Sequence, residues 1–321
     1  MMTLSKLAKL ANVSVSTASK AFTGSPEVNS ETREMIFSVA KAHGCFKKFY
    51  NAKYPKLVIA VIVPEFSSGL YARYLSLIQQ TLEQENCELC VSTTNFSIEQ
   101  ETALLEYYDR FANADGILIV GAQSTLSAPL ETPIVFLSPA EKQPCGVSIC
   151  SDHGAAVEEA FRYLKEKQIS SVGFIGEKLT KKKERCFRQW QEASGLTCDE
   201  AQIQITDRRF EAGGYAAMEK MFEQKRLPRA VICAYDTMAI GAIRCICDHG
   251  LSVPKDIAVL GMDDIREAAW LNPPLASISS SVEEACRLAA EAVLRQLSGE
   301  AVETQQTIPA KFHLRRSFEI D

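Results

Sequence analysis

The sequence lacks any apolar run of about eighteen residues, the length that spans a lipid bilayer. Its first residues, MMTLSKLAKLANVS, contain lysines but lack the apolar core of a signal peptide. Hydrophobic residues nevertheless make up 46% of the 321 residues, which is enough to bury a large core in two or three domains. We therefore expect a cytoplasmic globular protein that makes no membrane contact.

Catalytic motifs are also missing. The sequence has no G-x-G-x-x-G after a strand, no G-x-x-x-x-G-K-[ST], no H-E-x-x-H and no G-x-S-x-G. Of only four histidines, His43 and His249 each precede a glycine at the end of a predicted helix, where a cation complements the helix dipole. We expect no catalytic residue, no cofactor and no enzymatic activity.

The eleven cysteines are scattered through apolar segments. An odd number in this distribution is typical of reduced, buried thiols and not of a disulfide framework. Cys87-x-x-Cys90 and Cys245-x-Cys247 each resemble half of a metal site. Neither a second pair nor a His-x-x-x-His follows at zinc-finger spacing, so we predict no metal site.

Charge is distributed unevenly along the chain. Residues 1–56 carry nine Lys/Arg and three Glu, a net charge of +6, whereas the other 265 residues carry 26 Lys/Arg and 37 acidic residues, a net charge of −11. Neutralising phosphates supplies most of the sequence-independent affinity for nucleic acid. The basic end is therefore a candidate DNA-binding module, with a solvated basic face as the alternative.

Three helices are predicted in this basic end. Thr3, Ser14 and Asn29 each precede apolar residues at helical spacing, which predicts that they cap helices, the first over 4–11. Five residues of the third helix are expected to face inward: Thr32, Met35, Ile36, Val39 and Ala40. Asn12 and Val13 fall in a short turn between the first two helices, so the pattern is a helix-turn-helix.

In a helix-turn-helix the start of the second helix enters the major groove of DNA. The residues that we expect to reach base edges are Val15, Ser16 and Lys20. Those that we expect to hold phosphates are Thr3, Ser14, Ser19 and Arg33.

The string TLSKLAKLANVSVSTASKAFTGSPEVNSETRE resembles the DNA-binding headpiece of the lactose-repressor (LacI/GalR) family, whose motif runs T-[LI]-x-x-[VL]-A-x-x-A-x-V-S-x-x-T-x-S-[RK]. The similarity continues through AVIVPEF, ICAYDTMAIGAI, GLSVPKDIAVLGMDD and PPLASIS. The resemblance implies an effector-controlled repressor that binds double-stranded operator DNA as a homodimer. It also implies a body like that of periplasmic binding proteins.

Alternating apolar runs and amphipathic helices predict such a body independently. Apolar runs at 57–63, 87–93, 115–120 and 133–138 are followed by a second set at 171–176, 202–206, 230–234 and 257–261. This rhythm is typical of parallel sheets built from βαβ units. We predict an α/β fold with a three-helix headpiece (1–45), a linker (46–56) and a body (57–321) of two doubly wound subdomains, about 57–151 with 282–309 and 152–281 with 310–321.

Ligands of doubly wound sheets bind beyond the carboxyl ends of the strands, and paired subdomains place those ends at a cleft. We expect a small polar ring compound there, a sugar or a related compound, with a nucleobase as the alternative. The resemblance implies contacts from Asp152, Arg185, Phe210 and Asp263, and two tyrosines that follow predicted strands, Tyr71 and Tyr235, are added to them. Tyr235 stands where the family commonly has an Asn, which argues against a plain hexose.

Two other acidic residues also follow strands. We expect Asp236 and Asp264 to cap the helices that come next, without contacting a ligand. A transport-type sugar-binding protein with no DNA role is the main alternative to a regulator. It would need a signal peptide and would carry no helix-turn-helix.

The linker departs from the family pattern P-N-x-x-A-R-x-L, whose helix inserts a leucine into the minor groove. Here CFKKFYNAKYPKLV retains only a faint trace of that pattern in residues 51–54, and Pro55 stops a helix. We expect the lysines of the linker to contact phosphates and the DNA to bend little. Tyr54 in the place of the leucine is the alternative.

Overall fold

The computed structural model describes residues 3–50, 56–112 and 114–320, without the side chains of Lys47 and Lys48. The expected linker residues 51–54, with Tyr54 as a possible wedge, lie outside them. The α-helices are α1 Leu4–Leu10, α2 Val15–Thr23, α3 Ser30–Ala42, α4 Phe46–Tyr50, α5 Gly69–Gln84, α6 Ile98–Arg110, α7 Gly154–Glu166, α8 Lys181–Ser194, α9 Phe210–Glu223, α10 Asp236–Asp248 and α11 Val282–Leu297. The strands are β1 Leu57–Val63, β2 Cys87–Thr93, β3 Gly116–Val120, β4 Ile134–Leu137, β5 Val147–Asp152, β6 Val172–Glu177, β7 Ile203–Thr206, β8 Ala230–Cys233, β9 Ala258–Met262, β10 Ala276–Ser279, β11 Gln305–Pro309 and β12 Lys311–His313.

The caps of the three headpiece helices are confirmed. The side chains of Thr3, Ser14 and Asn29 accept backbone N–H groups at the starts of α1, α2 and α3. These bonds satisfy donors that have no partner inside the helix, and each contributes about 1 kcal/mol to stability. The helix-turn-helix is thus defined by short polar side chains that the sequence shows directly.

The third helix faces the core differently from the prediction. Met35 is exposed, whereas the ring of Phe37 lies 5.1 Å from that of Phe22 and 4.9 Å from that of Phe46. Phe46 belongs to α4, so residues 46–50, expected to begin the linker, pack on the headpiece. The inward position predicted for Met35 was wrong because these aromatic side chains extend the core along the neighbouring face of α3.

The chain divides into two compact units, each with one sheet. One unit is Met1–Ile149 with Cys286–Gln306, and the other is Cys150–Ala285 with Thr307–Asp321. Among the described residues each unit has one six-stranded sheet, in the orders β11-β5-β4-β3-β1-β2 and β12-β10-β9-β8-β6-β7. β1 to β5 pair in parallel, as do β6 to β10, while β12 runs antiparallel to β10. Two parallel-dominated sheets with helices confirm the predicted α/β class.

The central strands are buried on both faces, as their continuous apolar sequences predict. The eleven cysteines are free thiols. No helix among the described residues is both long enough and apolar enough to cross a membrane.

Strand order in the second unit brings several loops together. β6 lies between β7 and β8, so the chain leaves β6 on one side and returns on the other. Such a reversal opens a crevice at the carboxyl ends of the strands. The carboxyl ends of β7, β6, β8 and β9 therefore meet along one edge, called here the second-sheet edge.

Glycines let α9 and α10 pack closely in the second unit. A Cβ atom on Gly214 would overlap the carbonyl oxygen of Met238, and one on Gly241 would overlap the carbonyl oxygen of Glu211. Backbone atoms cannot move aside as flexible side chains do. The two helices therefore hold their positions through direct backbone contact.

We predict that Gly214→Ala lowers the free energy of unfolding by about 1–3 kcal/mol, the usual cost of overpacking. This loss should appear although alanine is the better helix former by about 1 kcal/mol. Gly69→Ala is the matched control, because a Cβ at Gly69 meets nothing within 4 Å. Urea denaturation of both variants measures the difference. Equal stabilities would contradict the close approach of α9 and α10.

Candidate functional sites

The first turn of α2 leaves two side chains of different character in solvent. Val15 is 46% exposed, and Ser16 beside it is also exposed. The turn is fixed by Ser14, whose Oγ accepts the N–H of Thr17 at 2.9 Å. An apolar and a hydroxyl side chain at a helix start have the chemistry that recognises a thymine methyl group and base-edge polar atoms.

The other predicted DNA contacts have intramolecular partners. Lys20 pairs with Glu27 at the surface. Arg33 donates from Nη2 to the carbonyl oxygens of Ser25, at 2.8 Å, and Val28, at 3.0 Å, and so fixes the loop between α2 and α3. Thr3 and Ser14 cap helices, and Ser19 lies partly buried on α2. Their contacts to DNA stay predictions.

At the second-sheet edge, Glu177 ends β6 and is only 5% exposed. Its Oε1 accepts the Nε–H of Arg209 and the hydroxyl of Tyr235, both at 3.0 Å. Arg209 follows β7 and Tyr235 follows β8, so three loops meet at one carboxylate. Because the carboxylate has charged and neutral donors, its burial costs little.

A second carboxylate lies along the same edge. Asp263 follows β9, and its Oδ1 accepts a hydrogen bond from Lys183 Nζ at 2.8 Å. Lys183 also donates to the carbonyl oxygen of Ala234 at 2.7 Å and lies 4.9 Å from the ring centre of Tyr235. Burial raises the pKa of Asp263, while Lys183 opposes that rise.

The predicted effector contacts lie in different parts of the structure. Phe210 begins α9 at φ 57°, in the left-handed region, with the guanidinium of Arg209 4.5 Å from its ring centre. Asp152 is exposed at the end of β5, and its Oδ1 accepts the N–H of Gly154 at 2.8 Å. Arg185 is exposed on α8. Tyr71 belongs to the first unit, where its hydroxyl lies beside Gly121 after β3.

Three residues of the edge escaped the sequence analysis: Glu177, Lys183 and Arg209. Glu177 could have been predicted from the sequence, because an acidic residue that ends an apolar strand lies at the edge where ligands bind. Lys183 stands in the run KKKER, where only the rotational phase of α8 shows which side chain faces the sheet. Arg185, two residues further along, is on a different face.

Asp236 and Asp264 do not cap the following helices as predicted. Asp236 is fully buried, and its carboxylate accepts from the N–H of Ile265 at 2.8 Å and from the hydroxyl of Ser277 at 2.5 Å. Asp264 pairs with Arg315 at 2.7 Å. The carboxylate of Asp236 connects the ends of β8 and β9 to β10, and that of Asp264 connects the loop after β9 to the segment after β12. These partners are closer to the two carboxylates than the free N–H groups of a helix end.

Burial lowers the pKa of His153 to about 4, and the charge of Lys183 contributes to this shift. Its Nε2 lies 2.9 Å from the hydroxyl oxygen of Ser280. The imidazole is therefore neutral near pH 7, and it adds no positive charge beside Asp152.

Burial, with repulsion from Asp263, raises the pKa of Asp236 from 3.8 to about 7. Between these two values the folded chain keeps a proton that the unfolded chain has lost, so the free energy of unfolding falls as the pH rises. We predict that Asp236→Asn loses less stability than the wild type between about pH 4 and about pH 7. The asparagine can accept from Ile265 and donate to Ser277.

Urea denaturation of the two proteins across this pH range provides the measurement. Parallel curves for the wild type and the variant would show that the carboxyl group does not titrate as described.

Comparisons with known proteins agree with both parts of the chain. Residues 3–45 match "Bacterial regulatory proteins, lacI family", and residues 161–318 match "Periplasmic binding protein-like domain". The HTH-type transcriptional regulator GalR of Streptococcus thermophilus is 28% identical over an alignment 340 residues long, gaps included. The alignment covers 99% of this chain and 99% of GalR.

Two solved structures have the same fold. The transcriptional regulator CelR–cellobiose complex has a TM-score of 0.70 at 23% identity, covering 99% of this chain and 100% of that one. The lac repressor dimer bound to operator and the anti-inducer ONPF has a TM-score of 0.73 at 19% identity, covering 98% of both.

The fold and its two surfaces define a DNA-binding regulator in which a helix-turn-helix is joined to a periplasmic-binding-protein-like α/β body. Residues 3–45 are thus a helix-turn-helix of the lacI family of bacterial regulatory proteins.

Proposed function

We propose that this chain is a cytoplasmic transcriptional repressor that binds a pseudo-palindromic operator as a homodimer and responds to a small neutral ring compound. The observation that carries the DNA-binding role is the exposed start of α2, with Val15 and Ser16 in solvent on a module of net charge +6. Phosphate attraction gives affinity, and the helix start gives sequence selection.

The homodimer follows from the size of the reading surface. One helix-turn-helix contacts a half-site, and two-fold symmetry doubles the contacts on a palindrome. The lac repressor structure with the same fold is a dimer on its operator, which supports this arrangement for the present chain.

Lys20 is the basic side chain best placed for base recognition. Its pairing with Glu27 is solvent-exposed and so contributes only about 0–1 kcal/mol. A guanine edge, which accepts hydrogen bonds at two atoms, offers a stronger partner. Binding to DNA can therefore release Lys20 from Glu27 at small cost.

We predict that Lys20→Ala reduces the preference for operator over random DNA by about 1–3 kcal/mol. Lys9→Ala is the matched control, since Lys9 is exposed on α1, which does not enter the groove in this motif. Fluorescence anisotropy measures the affinity of both variants for random DNA and for operator DNA, which is taken from beside the protein's own gene. Equal weakening on operator and random DNA would make Lys20 a phosphate contact, and no weakening would remove it from the interface.

For the effector we propose the second-sheet edge. Its buried carboxylates already have cationic partners, Glu177 with Arg209 and Asp263 with Lys183. A charged ligand would leave one buried charge without compensation, which is costly. A neutral compound with several hydroxyl or amide groups exchanges hydrogen bonds with these side chains and leaves the charges balanced.

Aromatic side chains at the same edge favour a ring. Phe210 is the first residue of α9, which follows β7, and Tyr235 directly precedes α10, which follows β8. A ring of the ligand can stack on these aromatic faces. Cellobiose in the CelR complex supports a sugar. Tyr235 supplies a second aromatic face at the position where the family commonly has the amide of an Asn. This difference favours a glycoside or a nucleoside over a plain hexose. Asp152 remains a proposed contact from the neighbouring loop.

A thermal-shift screen of neutral sugars and nucleosides identifies a ligand, because a specific binder raises stability by mass action. We predict that Asp263→Asn and Glu177→Gln then weaken that ligand by about tenfold or more, since each loses charged hydrogen bonds worth about 1.5–3 kcal/mol. Arg185→Ala on α8 is the control and should bind normally. Calorimetry on the three variants measures the affinities.

If Arg185→Ala weakens binding and the other two variants do not, the contact that the family resemblance implies for Arg185 holds and the proposed set is wrong. Operator binding without ligand should be retained in all three variants. Its loss would mean that the substitutions disturb the fold.

A further inference from the structure

Three side chains of metal-binding type converge near the carboxyl ends of α9 and α10. Glu219 lies on α9, Cys245 lies on α10, and His249 directly follows α10 as its C-cap. Their potential ligand atoms lie within 4.8 Å of one another, the one such group of three found in the part of the chain that the structure describes. The separations are 3.3 Å between Cys245 Sγ and Glu219 Oε2, 3.6 Å between His249 Nε2 and Glu219 Oε1, and 3.8 Å between Cys245 Sγ and His249 Nδ1.

These separations fit a tetrahedral ion. Zinc–sulfur bonds of about 2.3 Å and zinc–nitrogen or zinc–oxygen bonds of about 2.0–2.1 Å place neighbouring ligand atoms about 3.3–3.6 Å apart. The two separations from the Glu219 carboxylate, 3.3 Å to Cys245 Sγ and 3.6 Å to His249 Nε2, lie in this range, and the ligand atoms of all three groups lie within 4.8 Å of one another. Small side-chain rotations therefore suffice to bring all three groups onto one ion.

Hydrogen bonding orients His249 toward the acid. Its Nδ1 lies 3.0 Å from the carbonyl oxygen of Cys245, which can only accept, so Nδ1 carries the hydrogen. In the neutral ring Nε2 then presents a lone pair, and it faces the carboxylate of Glu219. Two electron-pair donors that face each other repel unless a proton or a metal ion lies between them. A backbone carbonyl that fixes the other ring nitrogen is the usual support of a metal-binding histidine.

The surrounding packing holds the three groups in place. The ring of Phe222 stacks on the imidazole at 3.9 Å and 11°. The close backbone contact at Gly214 and Gly241 fixes the separation of the two helices. The cluster is therefore preorganised, which reduces the entropy lost when a ligand binds.

We propose that Glu219, Cys245 and His249 form a binding site for a zinc-type divalent ion that links α9 to α10. The sulfur, nitrogen and oxygen donors suit zinc and cobalt, whereas magnesium and calcium prefer oxygen ligands alone. The side chains of Glu219 and His249 are 37% and 33% exposed, so the ion can enter from solvent and keep a water as its fourth ligand.

Binding requires the thiol to lose its proton. Burial, with Glu219 beside it, raises the pKa of Cys245 to about 12, so the thiol is protonated in the metal-free chain. On binding, the S–H bond breaks, a sulfur–metal bond forms and the proton passes to the buffer. From the sequence we predicted no metal site because we paired Cys245 with Cys247, whereas the partner of Cys245 is His249, one turn later.

Cobalt titration of the full-length, metal-stripped protein under reducing conditions tests the site, since thiolate-bound Co²⁺ has a charge-transfer absorption. We expect one Co²⁺ per chain with this absorption, displaced by Zn²⁺. Cys245→Ser should abolish it. Glu219→Gln and His249→Gln should weaken binding by about tenfold or more, since losing even a group that only orients a ligand costs on the order of 10–100-fold.

Cys247→Ser is the matched control, an exposed thiol on the same helix, and should titrate like the wild type. Circular dichroism checks that each variant is folded, and the two partly exposed positions, Glu219 and His249, carry the test if Cys245→Ser does not fold. A wild-type protein without the charge-transfer absorption would show that a proton alone bridges the cluster and would overturn the proposal. An absorption that survives in Cys245→Ser, or unchanged affinity in both other variants, would overturn it as well.

Discussion

A charge removed from water needs a partner, and the second-sheet edge is arranged around this constraint. Glu177, Asp236 and Asp263 are at most 5% exposed and lie at the carboxyl ends of the adjacent parallel strands β6, β8 and β9. Burial, with repulsion from Asp263, raises the pKa of Asp236. Lys183 and Arg209 offset the other two charges. Polar contacts thereby hold the loops after β6, β7, β8 and β9 together. Apolar packing at the same place would have left no polar groups for a ligand to bind.

This arrangement would also determine how a ligand acts at the proposed effector site. A hydroxyl group that binds Asp263 or Glu177 has to share or replace a partner that is already present, so only a compound with several well-placed groups gains free energy overall. Strained backbone lies at the same place: Phe210 has φ 57° and Asp263 has φ 109°. Such conformations cost about 1–3 kcal/mol each and are found where binding needs a side chain in one position. A ligand can shift the protein between states only by its difference in affinity for them.

The sequence was informative where local rules decide the structure. Helix caps such as Ser14 and Asn29, and the apolar strands, follow from residue type and spacing. It was uninformative where rotational phase or long-range pairing decides. Lys183 and Arg185 differ only in which face of α8 they occupy, and Asp236 finds its donors 29 and 41 residues further along the chain. No local pattern contains that information, because loop contacts across parallel strands depend on the order of the strands in the sheet.

The same two helices connect the edge to the proposed metal site. The start of α9 carries Phe210 and the residue before α10 is Tyr235, while the other ends carry Glu219 and His249. Backbone contact at Gly214 and Gly241 lies between these ends, so the helices cannot slide past each other without losing it. An ion that holds the carboxyl ends together would therefore also limit movement at the starts of the helices. When two helices are packed this closely, restricting movement at one end also restricts it at the other, because close-packed backbones have few alternative arrangements.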